Sequence, residues 1–402
     1  MIDWHTGSWQ KPQQVTSPDQ RIVIAGDWAP IRRYASYLLS APEVVYGDLL
    51  APLRQADLRV VNLETALSSR GTPVMKDGPN LQGRPAAVAG LTCVPFDVAC
   101  LANNHMMDYG PQALQDTRAL LAEKGIRHVG AGMSRAEALA PLIVDVGATQ
   151  VGIVNFCEGE DGASAIEGPG VFGWELDEVM AAVQGLRQTV DVVLVVAHAG
   201  REYTPAPPPY LQRAFRTIAR AGADLVVGHH PHVPQGIEIV DGVPIVYSLG
   251  NFIFFQETGR MFQRRGYLLE VSLAEGALSG FRLVPYALEE EGIRQLSGDE
   301  KVSLLAHLRA ASVPLAEPTG TAALWHAFID HQGAAYWQEA CGGLRSLVGI
   351  AGKDRDAAAA LRNRFITPAH RHFMADGLSR LIAGELGAAP AWAAELVERW
   401  RS

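Results

Sequence analysis

Cysteine is scarce in this chain. Four residues (Cys93, Cys100, Cys157 and Cys341) among 402 show neither metal-knuckle spacing nor the density of a disulfide framework. Each reads as a small buried hydrophobe, and the sparse usage fits a reducing compartment. No run reaches the roughly 18 apolar residues of a membrane span. The opening stretch, MIDWHTGSWQKPQQVTSPDQ, lacks the apolar centre of a secretory signal. A cytoplasmic protein without a membrane partner is the expectation. Positive charge is also short, with 34 Lys and Arg against 43 Asp and Glu and a net charge of −9. With no basic stripe to offset that balance, nucleic acid is not an expected partner. What remains is ordinary globular material, 48% hydrophobic and 19% charged, and the length suits two to three structural units.

Short apolar runs punctuate the first two thirds: RIVIAG at 21–26, LRVVNLE at 58–64, FDVACLANNH at 96–105, VGIVNF at 151–156, DVVLVVAHAG at 191–200 and ADLVVGHH at 223–230. Continuous apolar stretches of that length predict strands buried on both faces. Helical patterns at 110–126 and 210–223 lie between them, so the fold class is α/β. From about 243 to 285 the pattern becomes strand–turn–strand, which predicts a β-rich half and a two-sheet sandwich. After about 298 the chain is alanine-rich and helical. The expected organisation is an N-terminal extension (1–20), an α/β domain (21–297) and a helical extension or lid (298–402). Trp325, Tyr336 and Trp337 recur at helical spacing there, and the lid is expected to wall the substrate cleft.

Polar residues cluster where the predicted strands end, which is where open α/β sheets place their sites. The segments are Gly26-Asp27, Asn62-Leu63-Glu64, Asn103-Asn104-His105 with Asp108, His198 through Tyr203, and Gly228-His229-His230-Pro231-His232. Any one alone has an ordinary explanation: an Asp after a strand usually caps a helix, and a lone His is usually structural. Several at successive strand ends point to a site instead. Carboxylates and amide oxygens suit hard divalent cations, whereas imidazole suits zinc, iron or manganese. In His230-Pro231-His232 the proline stiffens the turn between two imidazoles.

These motifs, with GPNLQG at 78–83, GAGMSRAEALAP at 130–141, GADLVVGHHPHVPQG at 222–236 and YSLGNFIF at 247–254, resemble the CapA (poly-γ-glutamate capsule synthesis) family. That family is a branch of the calcineurin-like metallophosphoesterases, and the resemblance covers roughly 20–285. It implies one divalent ion (Ca, Mn or Mg; Zn or Fe as alternatives) on Asp27, Glu64, Asn104, His198, His230 and His232, and no organic cofactor. His105 would be the acid/base, held by Asp108; Asp27, His198 and His230 complete the implied catalytic set. Arg201, Glu202 and Tyr203 would line the substrate side, and Asn251 would reach the same cleft. Asp108 has an alternative as a helix cap, Asn251 as a turn residue, and His229 as pointing away from the metal. His5, His128, His307, His326, His331, His370 and His372 fit no motif and read as structural.

Departures from the family pattern shape the functional expectation. A two-metal phosphoesterase opens with Asp-x-His, but Asp27 is followed by Trp28 and Ala29; Asn62-Leu63-Glu64 replaces Gly-Asp-x-x-Asp; and Ala199 stands for Trp in His-Trp-Gly, opening space for a bulky side chain. Fewer metal positions weaken a two-ion clamp for in-line displacement. CapA-like folds are also represented among peptide epimerases, including the lasso-peptide epimerase that inverts a precursor's C-terminal residue. Peptide epimerisation on a peptide substrate is therefore expected, with metal-dependent hydrolysis as the alternative and a non-catalytic capsule scaffold as the third reading.

Overall fold

A computed structural model describes residues 1–12, 19–350 and 354–401, with the side chains at 161, 334–336 and 339–350 outside the description. Two mixed sheets face each other. In the nine-stranded sheet the order is Ser8–Gln10, Ala277–Leu288, Arg265–Ala274, Gln20–Trp28, Leu58–Leu63, Val98–Cys100 and Arg127–Val129; Asn251–Ile253 also pairs with Gln20–Trp28, and Ile293–Gln295 with Ala277–Leu288. The six-stranded sheet runs Ile237–Val240, Val243–Val246, Leu225–His229, Val192–His198, Thr149–Cys157 and Leu142–Val146. Each sheet has a parallel centre with antiparallel strands at one or both margins.

Strand alternation explains the layers. Ile22, Ile24, Leu58, Val60, Val98 and Cys100 share one hydrophobic cluster with the second sheet's Val151, Ile153, Val193 and Val195. Their neighbours Val23, Ala25, Val61, Leu63, Ala99 and Leu101 join the other cluster, with Tyr34, Leu38, Leu91, Leu114 and Leu121 from the flanking helices. The central strands are buried on both sides, so their sequences are continuous apolar runs rather than alternating ones. Ala199 belongs to the first cluster. The space expected at that position is filled by core, not opened to a ligand.

The predicted strand at 96–105 is only Val98–Cys100; the rest leaves the sheet as a loop ahead of the helix Gly110–Glu123. That shortening matters, because the loop carries Asn103, Asn104 and His105 out over the strand ends.

Beyond residue 297 the helices Gly298–Ser312, Gly320–Ile350, Arg355–Ile366, Pro368–Ala383 and Ala391–Arg401 pack on the second sheet's side, and Trp325, Phe328, Phe373 and Trp400 join its hydrophobic cluster. The expected aromatic wall is not what these rings build. Trp325 is buried against Phe328 and Phe373, and its Nε1 donates to Asp376 Oδ2 at 2.8 Å. Trp337 lies so close to Gly377 that a Cβ there would come 2.5 Å from the indole. The Tyr336 side chain lies outside the described residues. Aromatic burial glues the helices down; polar residues on other helices reach the cleft.

Trp400 shows how firmly the last helix is attached. Its ring stacks on Phe262 with centroids 4.1 Å apart, and its Nε1 donates to Pro234 O at 2.9 Å. That carbonyl sits two residues after His232. Trp400→Ala should therefore lower the free energy of unfolding by about 3–5 kcal/mol, the usual scale for truncating a buried large aromatic. Urea denaturation reads it, and a loss below about 1 kcal/mol would mean that the helix merely rests on the core.

Candidate active site

The parallel strands of both sheets end on the same side, and the polar residues follow from that. Asp27 closes Gln20–Trp28, Asn62 and Glu64 end Leu58–Leu63, His198 ends Val192–His198, and His229 ends Leu225–His229. A register shift between Ala25 and Asp27 turns Asp27 out of the alternation that buries Ala25 in the outer core. His230 and His232 have positive φ values of 97° and 57°, so the His230-Pro231-His232 turn is a strained segment whose shape the surroundings impose.

Asp27 Oδ1 accepts from Asn62 Nδ2 at 2.8 Å and lies 3.1 Å from His229 Nδ1. His232 Nδ1 is 3.5 Å from Asp27 Oδ2, and its Nε2 is 3.7 Å from Glu64 Oε1. His198 Nε2 lies 3.0 Å from Asn104 Oδ1, 3.2 Å from His230 Nδ1 and 3.7 Å from Glu64 Oε1. The six residues implied as ligands are thus one cluster. Asp27, Glu64 and His232 offer ligand atoms within 4.8 Å of one another, and so do Glu202, His230 and His232.

The cluster's own chemistry tests whether a cation fits. Both oxygens of Glu64, Asp27 Oδ2, Asn62 Oδ1 and His229 Nε2 are buried without a hydrogen-bond partner. Each such group costs about 1–3 kcal/mol or more when left unpaired. Burial, then the charge of Asp27, pushes the Glu64 carboxyl well above its ordinary range. Burial would push Asp27 up as well, but hydrogen bonding to His229 and His232 holds it well below. Burial and the neighbouring His230 hold His198 well below the ordinary imidazole value. A divalent ion would satisfy the orphaned oxygens and bring the Glu64 carboxyl down into its ionised form, while keeping Asp27 ionised and His198 neutral. The residues fit the metal.

His105 sits beside the cluster. Its Nδ1 is 2.7 Å from Asp108 Oδ2, whose position is fixed in turn by the Leu81 amide at 2.6 Å. Helix Gly110–Glu123 has Tyr109 at its N-cap with no side-chain cap, so Asp108 orients His105 and does not cap. Sequence reasoning missed Lys76. Its Nζ donates to Asp108 Oδ1 at 2.7 Å and to Asn104 O at 3.1 Å, in a buried position. Burial, then the Lys76 charge, lowers the His105 pKa to about 4, leaving a neutral imidazole at neutral pH.

A cleft of about 390 Å³ opens over these groups, with His105, Asn104, His230, His232, Arg201, Glu202 and Tyr203 among its lining. Asn251 does not line it. It is fully buried beside Asp27, and its Oδ1 lies 2.9 Å from His232 Nδ1, so it holds a candidate metal ligand instead of a substrate. His229 faces Asp27 and is part of the cluster. His370, read from sequence as structural, lines the cleft together with Asn363 and Glu160. Glu160 follows an apolar strand and the strand-end rule would have found it; His370 and Asn363 arrive from distant helices with no local signal.

The two-sheet α/β fold with carboxylates, amides and imidazoles converging on strand C-termini defines a protein with a candidate divalent-metal centre. The chain belongs to the bacterial capsule synthesis protein family (PGA_cap), whose model matches residues 21–256. The PGA biosynthesis protein CapA of Bacillus subtilis (strain 168) is 33% identical over 214 residues, covering 52% of this chain and 56% of that protein. A probable polyglutamine synthesis accessory protein of Mycobacterium tuberculosis (strain ATCC 25618 / H37Rv) is 30% identical over 275 residues, covering 63% of this chain and 72% of that one. The match thus spans little more than half the length of the Bacillus subtilis relative. Among solved structures, a putative 5′-nucleotidase from Staphylococcus aureus aligns over 72% of this chain and 58% of its own at 15% identity, with a TM-score of 0.45. Among the described residues, no helix is long and apolar enough to cross a membrane.

The His105 environment makes a directional prediction for the metal-free protein. Its folded pKa of about 4 lies below the ordinary 6.5. Between those values the unfolded chain binds more protons, so this contribution to stability is complete above about pH 6.5 and is lost as pH falls toward 4. Lys76→Met removes the second-largest cause of the depression and should raise the His105 midpoint, read from its ring-proton NMR shift against pH. An unchanged or lower midpoint would remove Lys76 from this role.

Proposed function

We propose that this chain is a metal-dependent peptide epimerase that inverts a Cα centre, with the C-terminal residue of a ribosomal lasso-type precursor peptide as its substrate. One observation carries the reading: a buried, neutral imidazole, His105, oriented by Asp108 and lining a cleft beside a candidate metal cluster. Removal of a weakly acidic α-proton needs a base within reach of it and held in one tautomer, and Asp108 holds His105 in that way. Asp108 at Nδ1 leaves Nε2 as the atom that takes the proton. The ion would rest on Asp27, Glu64, Asn104, His198, His230 and His232, and the proton returned to the other face would come from solvent entering the cleft. A bound divalent ion would supply positive charge beside the carbonyl whose α-carbon is deprotonated. Arg201, Glu202 and Tyr203 would orient the peptide. The names of the relatives, linked to PGA biosynthesis and polyglutamine synthesis, support a peptide-like substrate.

Hydrolysis is the second reading. The two trios of ligand atoms share His232, as adjacent subsites for two ions would. Against it, Trp28 and Ala29 after Asp27 are both buried and apolar, so no imidazole enters from that strand end.

Incubating the protein with candidate precursor peptide in D₂O separates the readings. A one-dalton gain without cleavage is expected; peptide cleavage, or phosphate release from a phosphoester, would replace epimerisation with hydrolysis. His105→Ala should lower the exchange rate by about 10²-fold or more without unfolding the protein. Protein purified without chelator should carry divalent metal, and full activity with under about a tenth of an equivalent would end the metal-dependent reading.

A further inference from the structure

The family model ends at residue 256, yet the cleft is finished by residues beyond it, Asn363 and His370. His370 lies in the first turn of Pro368–Ala383. Its Nδ1 is 3.2 Å from Arg201 Nη1. A guanidinium only donates, so this nitrogen accepts and the proton of the neutral ring sits on Nε2. Nε2 faces Glu160 Oε1 at 3.7 Å. The other oxygen, Glu160 Oε2, accepts from Asn104 Nδ2 at 3.0 Å. That contact decides which end of the Asn104 amide carries the oxygen, because a carboxylate accepts and only the NH₂ end can donate. Asn104 Oδ1 is thereby turned to the ligand cluster, 3.0 Å from His198 Nε2.

The start of the same helix is pinned next to this chain of contacts. Glu158 Oε2 accepts from the Ala369 amide at 3.3 Å, while its Oε1 accepts from the Gly200 amide at 3.3 Å and from the Tyr210 hydroxyl. Glu158 and Glu160 lie two residues apart just past the strand Thr149–Cys157. One strand end thus grips the appended helix with one carboxylate and the candidate ligand Asn104 with the other.

We propose that Glu160 is a positioning residue that holds Asn104 in its metal-facing orientation, and that His370 supports Glu160 from helices outside the family-matched segment. The proposal rests on the reading of the Asp27–Glu64–His232 cluster as a metal centre. Without Glu160 the Asn104 amide can rotate and present NH₂ to a cation, which repels it. Loss of such an outer partner typically weakens metal binding by about 10–100-fold.

Mn²⁺ titrated into chelator-stripped protein, with free Mn²⁺ read by electron paramagnetic resonance, tests this. Glu160→Ala should raise the Mn²⁺ Kd by about 10–100-fold, Glu160→Gln, whose amide oxygen still accepts from Asn104, by less than about threefold, and His370→Ala by several-fold. Melting temperatures of the metal-free variants control for misfolding, and Glu160→Gln with His370→Ala still decide the question if Glu160→Ala does not fold. If the unaltered protein binds no Mn²⁺, the metal reading itself fails and the proposal with it. Mn²⁺ binding that is tight and unchanged in Glu160→Ala leaves the metal centre standing and overturns the role of Glu160. Equal weakening in Glu160→Ala and Glu160→Gln overturns positioning in favour of charge. An unchanged His370→Ala overturns the link to the appended helices.

Discussion

Two carboxylates, Asp27 and Glu64, are buried together at the ends of neighbouring parallel strands, and most of what is distinctive about this protein follows from that constraint. Glu64 has no hydrogen-bond partner on either oxygen. Like charges in a low-dielectric setting repel strongly and lose their hydration. A fold tolerates the arrangement when a cation or a ring of donors offsets it. Here the donors are partial: Asn62 and His229 serve one oxygen of Asp27, and His232 stands between the two acids. The remaining deficit is what a divalent ion would fill.

The imidazoles around the pair are arranged by the same need. His232 is pushed up to about 10 despite burial, because Glu64, Asp27 and Glu202 surround it, whereas burial takes His230 down to about 4. Neighbouring histidines on one strained turn thus sit in opposite electrostatic settings. His105 lies one shell further out, where Lys76 and burial keep it neutral and Asp108 fixes its ring. Groups that hold charge and a group that stays neutral thus lie side by side in one cleft.

The helical extension is part of that cleft. Trp400 donates to the carbonyl of Pro234 just past His232, Glu158 holds the amide of Ala369, and His370 faces Glu160. Attachment follows from aromatic burial: Trp325 and Phe328 stack, and Phe373 meets both rings edge-on. The extension residues that line the cleft are polar ones, Asn363 on Arg355–Ile366 and His370 on Pro368–Ala383.

Strand ends were legible in the sequence because a doubly buried strand must be a continuous apolar run and must end where polar groups begin. Asp27, Glu64, His105 and the His198 and His230-Pro231-His232 segments were all readable by that rule, as was the α/β class. Partners within a few residues were readable too, since Asp108 reaches His105 across a single turn. What the sequence left open was which polar atoms face each other across long separations. Asn251 became the support of His232, Lys76 the neighbour of His105, and His370 a wall of the cleft, over separations of 19, 29 and, from Arg201, 169 residues. No periodicity encodes such meetings. They depend on how two sheets and five helices close over one another, and packing alone decides that.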